Sequence, residues 1–176
     1  MSDFLISLAS VMERAGVTPM MAGGWAVNHH GFSRTTLDID FVYDRDRREE
    51  ILAALALAGY FPKLDLSFAC RMLHRSIAVP ILDVIWVDRA TFEKLLAEAE
   101  PFGIAPSLRV ISLHSLLSMK LHALHDDETR KGRDLRDINE LIARHPYLKT
   151  SEAFHQLVRA QAPELFWEKF GVASLP

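Results

Sequence analysis

The chain has 176 residues, 49% of them apolar and 24% charged, with a formal net charge of -3. That balance excludes a disordered chain, and the length suits one domain carrying a small helical appendage. A single cysteine, Cys70, excludes an internal disulfide and a thiolate-rich zinc site, and the net charge advertises no nucleic-acid partner in bulk.

Near the N-terminus, Phe4, Leu5, Leu8, Val11 and Met12 recur at helical spacing, and Gly16 is a helix stop. Thr18 to Ala22 reads as a short buried strand ending at Gly23-Gly24, and Trp25 to His30 as a short helix closed by Gly31. Leu37 to Tyr43 reads as a strand, and Asp44 as the cap of a helix from about Asp46 to Ala58 that Gly59 ends. Phe61 to Phe68 and Cys70 to Ile77 form a paired strand unit, in which Cys70 is a core thiol rather than a nucleophile. The almost continuous apolar run Ile81 to Val87 predicts a central strand buried on both faces. Asp88 caps a helix through about Ala99, and a loop over Pro101 to Pro106 separates this part from the rest of the chain.

From Ser112 the pattern is helical: one helix to about His125, another over Arg133 to Arg144, then segments broken near Pro146 and Pro163. The expected organisation is α+β, a mixed sheet flanked by helices over residues 1–106, with a helical part over 107–176. No apolar run approaches membrane-spanning length and no basic leader opens the chain, which reads as cytoplasmic.

Three acids sit where acids are costly. Asp38 and Asp40 are two apart on a predicted strand, so both side chains leave one face. Two carboxylates this close repel unless a cation lies between them, and magnesium suits oxygen ligands and phosphates. Asp83 interrupts an apolar strand and needs a partner, which a neighbouring metal site would supply. The alternative is a solvated edge bearing Asp38 and Asp40, with Asp83 capping a turn. Gly23-Gly24, between a strand and a helix, lets backbone N–H groups approach an anion closely.

In the helical half, Lys120 lies on the stripe of Leu113, Leu116, Leu117, Leu121 and Leu124, where a cation is unusual. Asp134 lies on or beside the stripe of Leu135, Ile138, Leu141 and Ile142, with Asp137 one turn along. A Lys120–Asp134 contact is sensible both as part of a site and as an interhelical salt bridge. His122 and His125, one turn apart near Asp126, are read as solvent-facing, and His29-His30 as a surface loop. Trp25 is read as a core anchor more than a base-stacking platform.

The stretch GGWAVNHHGFSRTTLDIDFVY resembles the signature of the DNA polymerase beta-like nucleotidyltransferase superfamily: a glycine turn, a short helix and a D-x-D strand. The stretch SMKLHALHDDETRKGRDLRDINELI is similar to that of AbiEii/AbiGii-type and MenT-type nucleotidyltransferases, with a helical lysine and then R-D-x-x-D-[IL]. The GGWAV segment is equally similar to antibiotic nucleotidyltransferases that modify aminoglycosides or lincosamides. The resemblance implies the nucleotidyltransferase fold and Asp38, Asp40 and Asp83 as ligands of two magnesium ions. It implies Lys120 and Asp134 as further functional residues, and Gly23, Gly24, Arg34 and Lys120 as contacts of a nucleoside triphosphate. The implied activity is nucleotidyl transfer from that triphosphate to a tRNA 3′ end, a protein or a small molecule, with an antitoxin partner for a toxin-like member. A tRNA acceptor predicts a basic groove from Arg34, Arg71, Arg75, Lys131, Arg133 and Arg136. A rival function is a non-catalytic nucleotide- or partner-binding module on the same fold.

Overall fold

The computed structural model describes residues 2–103, 105–125 and 128–173, and the chain divides into two units. The first runs through His29 and resumes from Arg34 to Ser112; the second comprises His30–Ser33 and the chain from Leu113 onward.

The first unit is built on a seven-stranded sheet in the order β3-β4-β5-β2-β1-β7-β6. Its strands are β1 (Met20–Met21), β2 (Asp38–Asp44), β3 (Tyr60–Asp65), β4 (Ala69–His74), β5 (Ile81–Val87), β6 (Glu100–Phe102) and β7 (Ala105–Val110). The sheet is mixed: β2 pairs parallel with β5 and β1 with β7, whereas β1–β2, β3–β4, β4–β5 and β6–β7 are antiparallel. Its helices are α1 (Ser2–Arg14), α2 (Gly23–His29), α3 (Arg48–Leu57) and α4 (Arg89–Glu98). This is the expected mixed sheet flanked by helices.

Local chemistry explains most boundaries. In α1 the buried residues Leu5, Leu8, Ala9 and Met12 form one face, and the chain turns at Gly16, whose φ of 65° favours glycine. Burying each such leucine contributes about 2 kcal/mol. Asp44 accepts a hydrogen bond from the Asp46 N–H and opens a 3-10 turn that leads into α3. Asp88 caps α4 through the N–H and hydroxyl of Thr91, as the sequence predicts. Those two bonds hold the Asp88 carboxyl below its ordinary range.

Two expectations are corrected. The strand β5 is interior in the sheet but not buried on both faces: Leu82, Val84 and Trp86 are buried, while Ile81 is exposed and Asp83, Ile85 and Val87 are half-covered. It alternates because only one face meets the core, and the other carries Asp83. The segment expected as a loop over Pro101 to Pro106 is instead the β6–β7 hairpin, with β7 continuing the sheet beside β1. The prolines are accommodated because β6 is an edge strand and the pairing shifts register between Pro101 and Phe102. The chain passes from the first unit to the second at Ser112–Leu113, after β7.

The second unit contains α5 (Leu113–Ala123), α6 (Glu128–Arg144) and α7 (Glu152–Gln161), and 3-10 turns complete it. Its core joins Leu116, Leu117, Leu121, Leu124, Ile138, Leu141, Phe154 and Val158. Pro146 begins a 3-10 turn after α6 and Pro163 precedes another after α7, so both prolines break helices as predicted. The four-residue segment 30–33 belongs here because Phe32 is buried under the guanidinium groups of Arg136 and Arg144, 5.6 and 4.9 Å from its ring centre. Arg144 also donates to the Gly31 carbonyl at 2.6 Å, and Nε2 of His145 lies 2.9 Å from the His30 carbonyl oxygen. No helix among the described residues is long and apolar enough to cross a membrane.

Candidate functional site

The first unit assembles the three predicted acids. Asp38 and Asp40 alternate with the buried Ile39 and Phe41 along β2, so the pleat places both carboxylates on the face turned from the core. The parallel β2–β5 register sets Asp40 directly beside Asp83 and Asp38 beside Ile81. All three acids are partly exposed. Neighbouring strands lie about 4.8 Å apart, which keeps carboxylates at paired positions within reach of one cation.

Two of the acids are braced by neighbouring side chains. The Thr36 hydroxyl donates to Oδ1 of Asp38 at 3.0 Å. Asp83 accepts two hydrogen bonds from Arg71, from Nε at 2.8 Å and from a terminal nitrogen at 2.6 Å. Arg71 faces Asp83 directly across the β4–β5 pair, so Asp40, Asp83 and Arg71 form one row across three strands. The Asp83 carboxylate, by hydrogen bond and charge, holds the Arg71 guanidinium more firmly protonated than usual, with smaller contributions from Asp38 and Asp40. The partner that Asp83 requires is thus Arg71; the sequence suggested that arginine only for a basic groove.

The glycine turn fits against the same acids. Gly23 opens α2 at a φ of 53°, and a β-carbon there would collide with the Asp40 carboxylate. At Gly24 a β-carbon would lie 2.5 Å from the Thr36 hydroxyl oxygen and 3.3 Å from a terminal nitrogen of Arg34. Asn28 bonds both the N–H and the carbonyl of Arg34, at 2.8 and 3.0 Å, and so fixes the backbone that carries this arginine. Gly23, Gly24, Thr36, Arg34 and Asp40 therefore share one small neighbourhood.

Around α2 the surface-loop reading of the two histidines is corrected. His29 ends the helix rather than lying in a loop; its ring is 3.0 Å from a Glu100 oxygen and packs near Phe102. His30 is buried. Trp25 meets the Phe102 ring edge-on at 6.2 Å, the packing role favoured for it.

The second unit holds the other predicted pair. Lys120 is buried, and its ammonium contacts Asp134 and Asp137 at 2.7 Å each. Asp137 is the more deeply enclosed acid, with no exposed surface. It lies one turn after Asp134 on the same helix, as the sequence places it. His122 and His125 have ring centres 5.9 Å apart and His122 and His125 are both exposed, while Asp126 lies outside the described residues. A cavity of about 290 Å³ in this unit, lined in part by Asn139, Ile142, Lys149 and Phe170, contains none of the residues singled out above.

Comparisons agree with this architecture. The family model of the nucleotidyl transferase AbiEii toxin of type IV toxin–antitoxin systems matches residues 61–172. That of aminoglycoside-2''-adenylyltransferase matches residues 4–89, the half containing Asp38, Asp40 and Asp83. No curated protein sequence matches the chain. Among solved structures, the crystal structure of ANT(2'')-Ia in complex with adenylyl-2''-tobramycin is similar at a TM-score of 0.68 and 14% identity, covering 92% of this chain and 98% of that one. The lincomycin-bound lincosamide antibiotic adenylyltransferase LnuA gives 0.57 and 18%, covering 80% and 96%. JHP933 from Helicobacter pylori gives 0.55 and 17%, covering 90% and 75%. At these identities the likeness concerns the fold, which is the nucleotidyltransferase fold.

Proposed function

The chain belongs to the AbiEii nucleotidyl transferase toxin family and is a nucleotidyltransferase, and from that premise we propose the reaction it performs. Beside Asp38, Asp40 and Asp83 the acceptor hydroxyl oxygen loses its proton and attacks the α-phosphorus of a nucleoside triphosphate, so that the nucleoside monophosphate is transferred and inorganic pyrophosphate leaves. The observation that carries this reading is the register of Asp40 against Asp83, with Asp38 two residues back on the same face.

The donor chemistry fits magnesium, because the three side chains offer only carboxylate oxygens and gather on one face. Asp38, Asp40 and Asp83 would hold the ions; Asp40 and Asp83 share a strand register and Asp38 is held by Thr36. When bound, such ions polarise the phosphate being transferred and favour the alkoxide of the acceptor. The protein's own contribution is placement. Gly23 and Gly24 let the turn pack directly against Asp40 and Thr36, and Arg34 beside Gly24 supplies positive charge. Lys120 and Asp134 form a second functional pair, with the ammonium 2.7 Å from an oxygen of each of two carboxylates.

For the acceptor we favour a tRNA 3′ end, because the matching toxin family acts within toxin–antitoxin systems, and we propose an antitoxin as its protein partner. Both substrates and partner are then cytoplasmic. A second reading is adenylylation of an aminoglycoside or related antibiotic, favoured by the aminoglycoside-2''-adenylyltransferase match over residues 4–89. Incubation with each α-labelled nucleoside triphosphate, magnesium and separate pools of tRNA, protein and antibiotics distinguishes them. Label is expected on tRNA and absent with Asp38→Asn or Asp40→Asn. Label on antibiotics alone would select the second reading, and transfer that survives Asp40→Asn would refute the site.

A further inference from the structure

The Arg71–Asp83 pair lies inside the acidic group, yet the proposed reaction makes no use of it. The guanidinium engages both oxygens of Asp83 in a fork, at 2.8 and 2.6 Å. The pair is not locked in the core: the side chains keep 49% and 22% of their surface exposed. Its geometry comes from strand register, since Arg71 is the direct partner of Asp83 and Asp83 the direct partner of Asp40. One end of the carboxylate row is therefore neutralised by a cation that belongs to the chain itself.

We propose that Arg71 is the built-in counter-ion of this acidic group and competes with the divalent cation for Asp83, so that cation binding requires the fork to open. The proposal rests on the reading of Asp38, Asp40 and Asp83 as metal ligands. A carboxylate has about four lone-pair sites, and a bidentate guanidinium uses one on each oxygen. A divalent ion taking the remaining sites would stand beside a fixed positive charge, and the two repel strongly at a few ångströms. In the absence of the ion, the same guanidinium relieves repulsion among three clustered carboxylates. A half-exposed ion pair is weak enough to be exchanged, as this role demands. Arg71 is in these terms a positioning residue, holding Asp83 in place until the cation replaces it.

The test is a manganese titration of the full chain without nucleotide, read by calorimetry and by the electron paramagnetic resonance of free manganese. Wild type is compared with Arg71→Gln, Arg71→Lys and Asp40→Asn. Removing the competitor is expected to tighten manganese binding by about threefold to fivefold in Arg71→Gln, the scale set by loss of one partly exposed ion pair. Arg71→Lys keeps the charge but loses the fork, so a smaller tightening of about twofold is expected. It carries the test should Arg71→Gln fail to fold, as judged by circular dichroism. Unchanged or weaker binding in the folded Arg71 variants, with binding lost in Asp40→Asn, would overturn this proposal alone. If wild type binds no manganese at millimolar concentration, the metal reading falls and this proposal with it.

Discussion

A β-carbon at Gly23 would lie 1.9 Å from Oδ2 of Asp40, so the turn and the acid are fitted together with no room between them. The turn also runs at a φ of 53°, a conformation that side chains other than glycine adopt at a cost. Gly23→Ala is therefore expected to push the Asp40 carboxylate from its place and to destabilise the fold by about 2–4 kcal/mol. Urea denaturation measures the second effect, and nucleotidyl transfer by the remaining folded protein should drop at least about tenfold. Wild-type activity in a folded Gly23→Ala protein would show that the close approach has no functional consequence.

The Lys120 ammonium stands between two buried carboxylates at 2.7 Å each. Lys120→Met should remove the ammonium that both buried carboxylates contact, at a cost of about 3–5 kcal/mol. Adding Asp137→Asn should then recover part of that loss, because Asp134 no longer shares the site with a second carboxylate. The check is a double-mutant cycle in urea. Strictly additive losses would mean that the three side chains are energetically independent.

Alkaline pH should weaken the fold through groups that resist losing a proton. Burial, and after it the nearby Asp65 carboxylate, pushes the Cys70 thiol from its ordinary 9.0 to about 11. Burial also raises the hydroxyls of Tyr60 and Tyr43, the latter helped by Tyr60. A raised folded-state value means that the native protein holds the proton more tightly than the unfolded chain. The stabilisation from Cys70 is thus complete below pH 9 and is lost as pH rises through about 11. Its size is on the order of 2 kcal/mol. Unfolding midpoints measured from pH 7 to 11 should fall mainly above pH 9, and Cys70→Ala should flatten that decline. An identical decline in both proteins would assign it to the tyrosines.

Much of the site could be read from the sequence because its signals are local. The alternation Asp38-Ile39-Asp40-Phe41 declares two acids on the outer face of a strand, and Asp83 is conspicuous as the one acid in an apolar run. Lys120 and Asp134 betray themselves by sitting on helix faces otherwise apolar, and both are buried. Arg71 carried no comparable signal. A lone arginine on a half-exposed strand is ordinary, and only the register of β4 against β5, a property of distant segments, sets it opposite Asp83. The β6–β7 hairpin escaped for a related reason. Its prolines and glycine speak for a turn, while the partner that makes β7 a strand is Met20–Met21, nearly ninety residues earlier.

The row Asp40–Asp83–Arg71 also bears on how the sheet finds its alignment. Side chains alternate along a strand, so sliding β4 by one residue against β5 would turn Arg71 toward the core and bring Cys70 out beside the acids. A guanidinium forced into the apolar layer and carboxylates left without it would both penalise that mispairing. In the native alignment opposite charges meet along this row, and a one-residue slip of β4 would separate them.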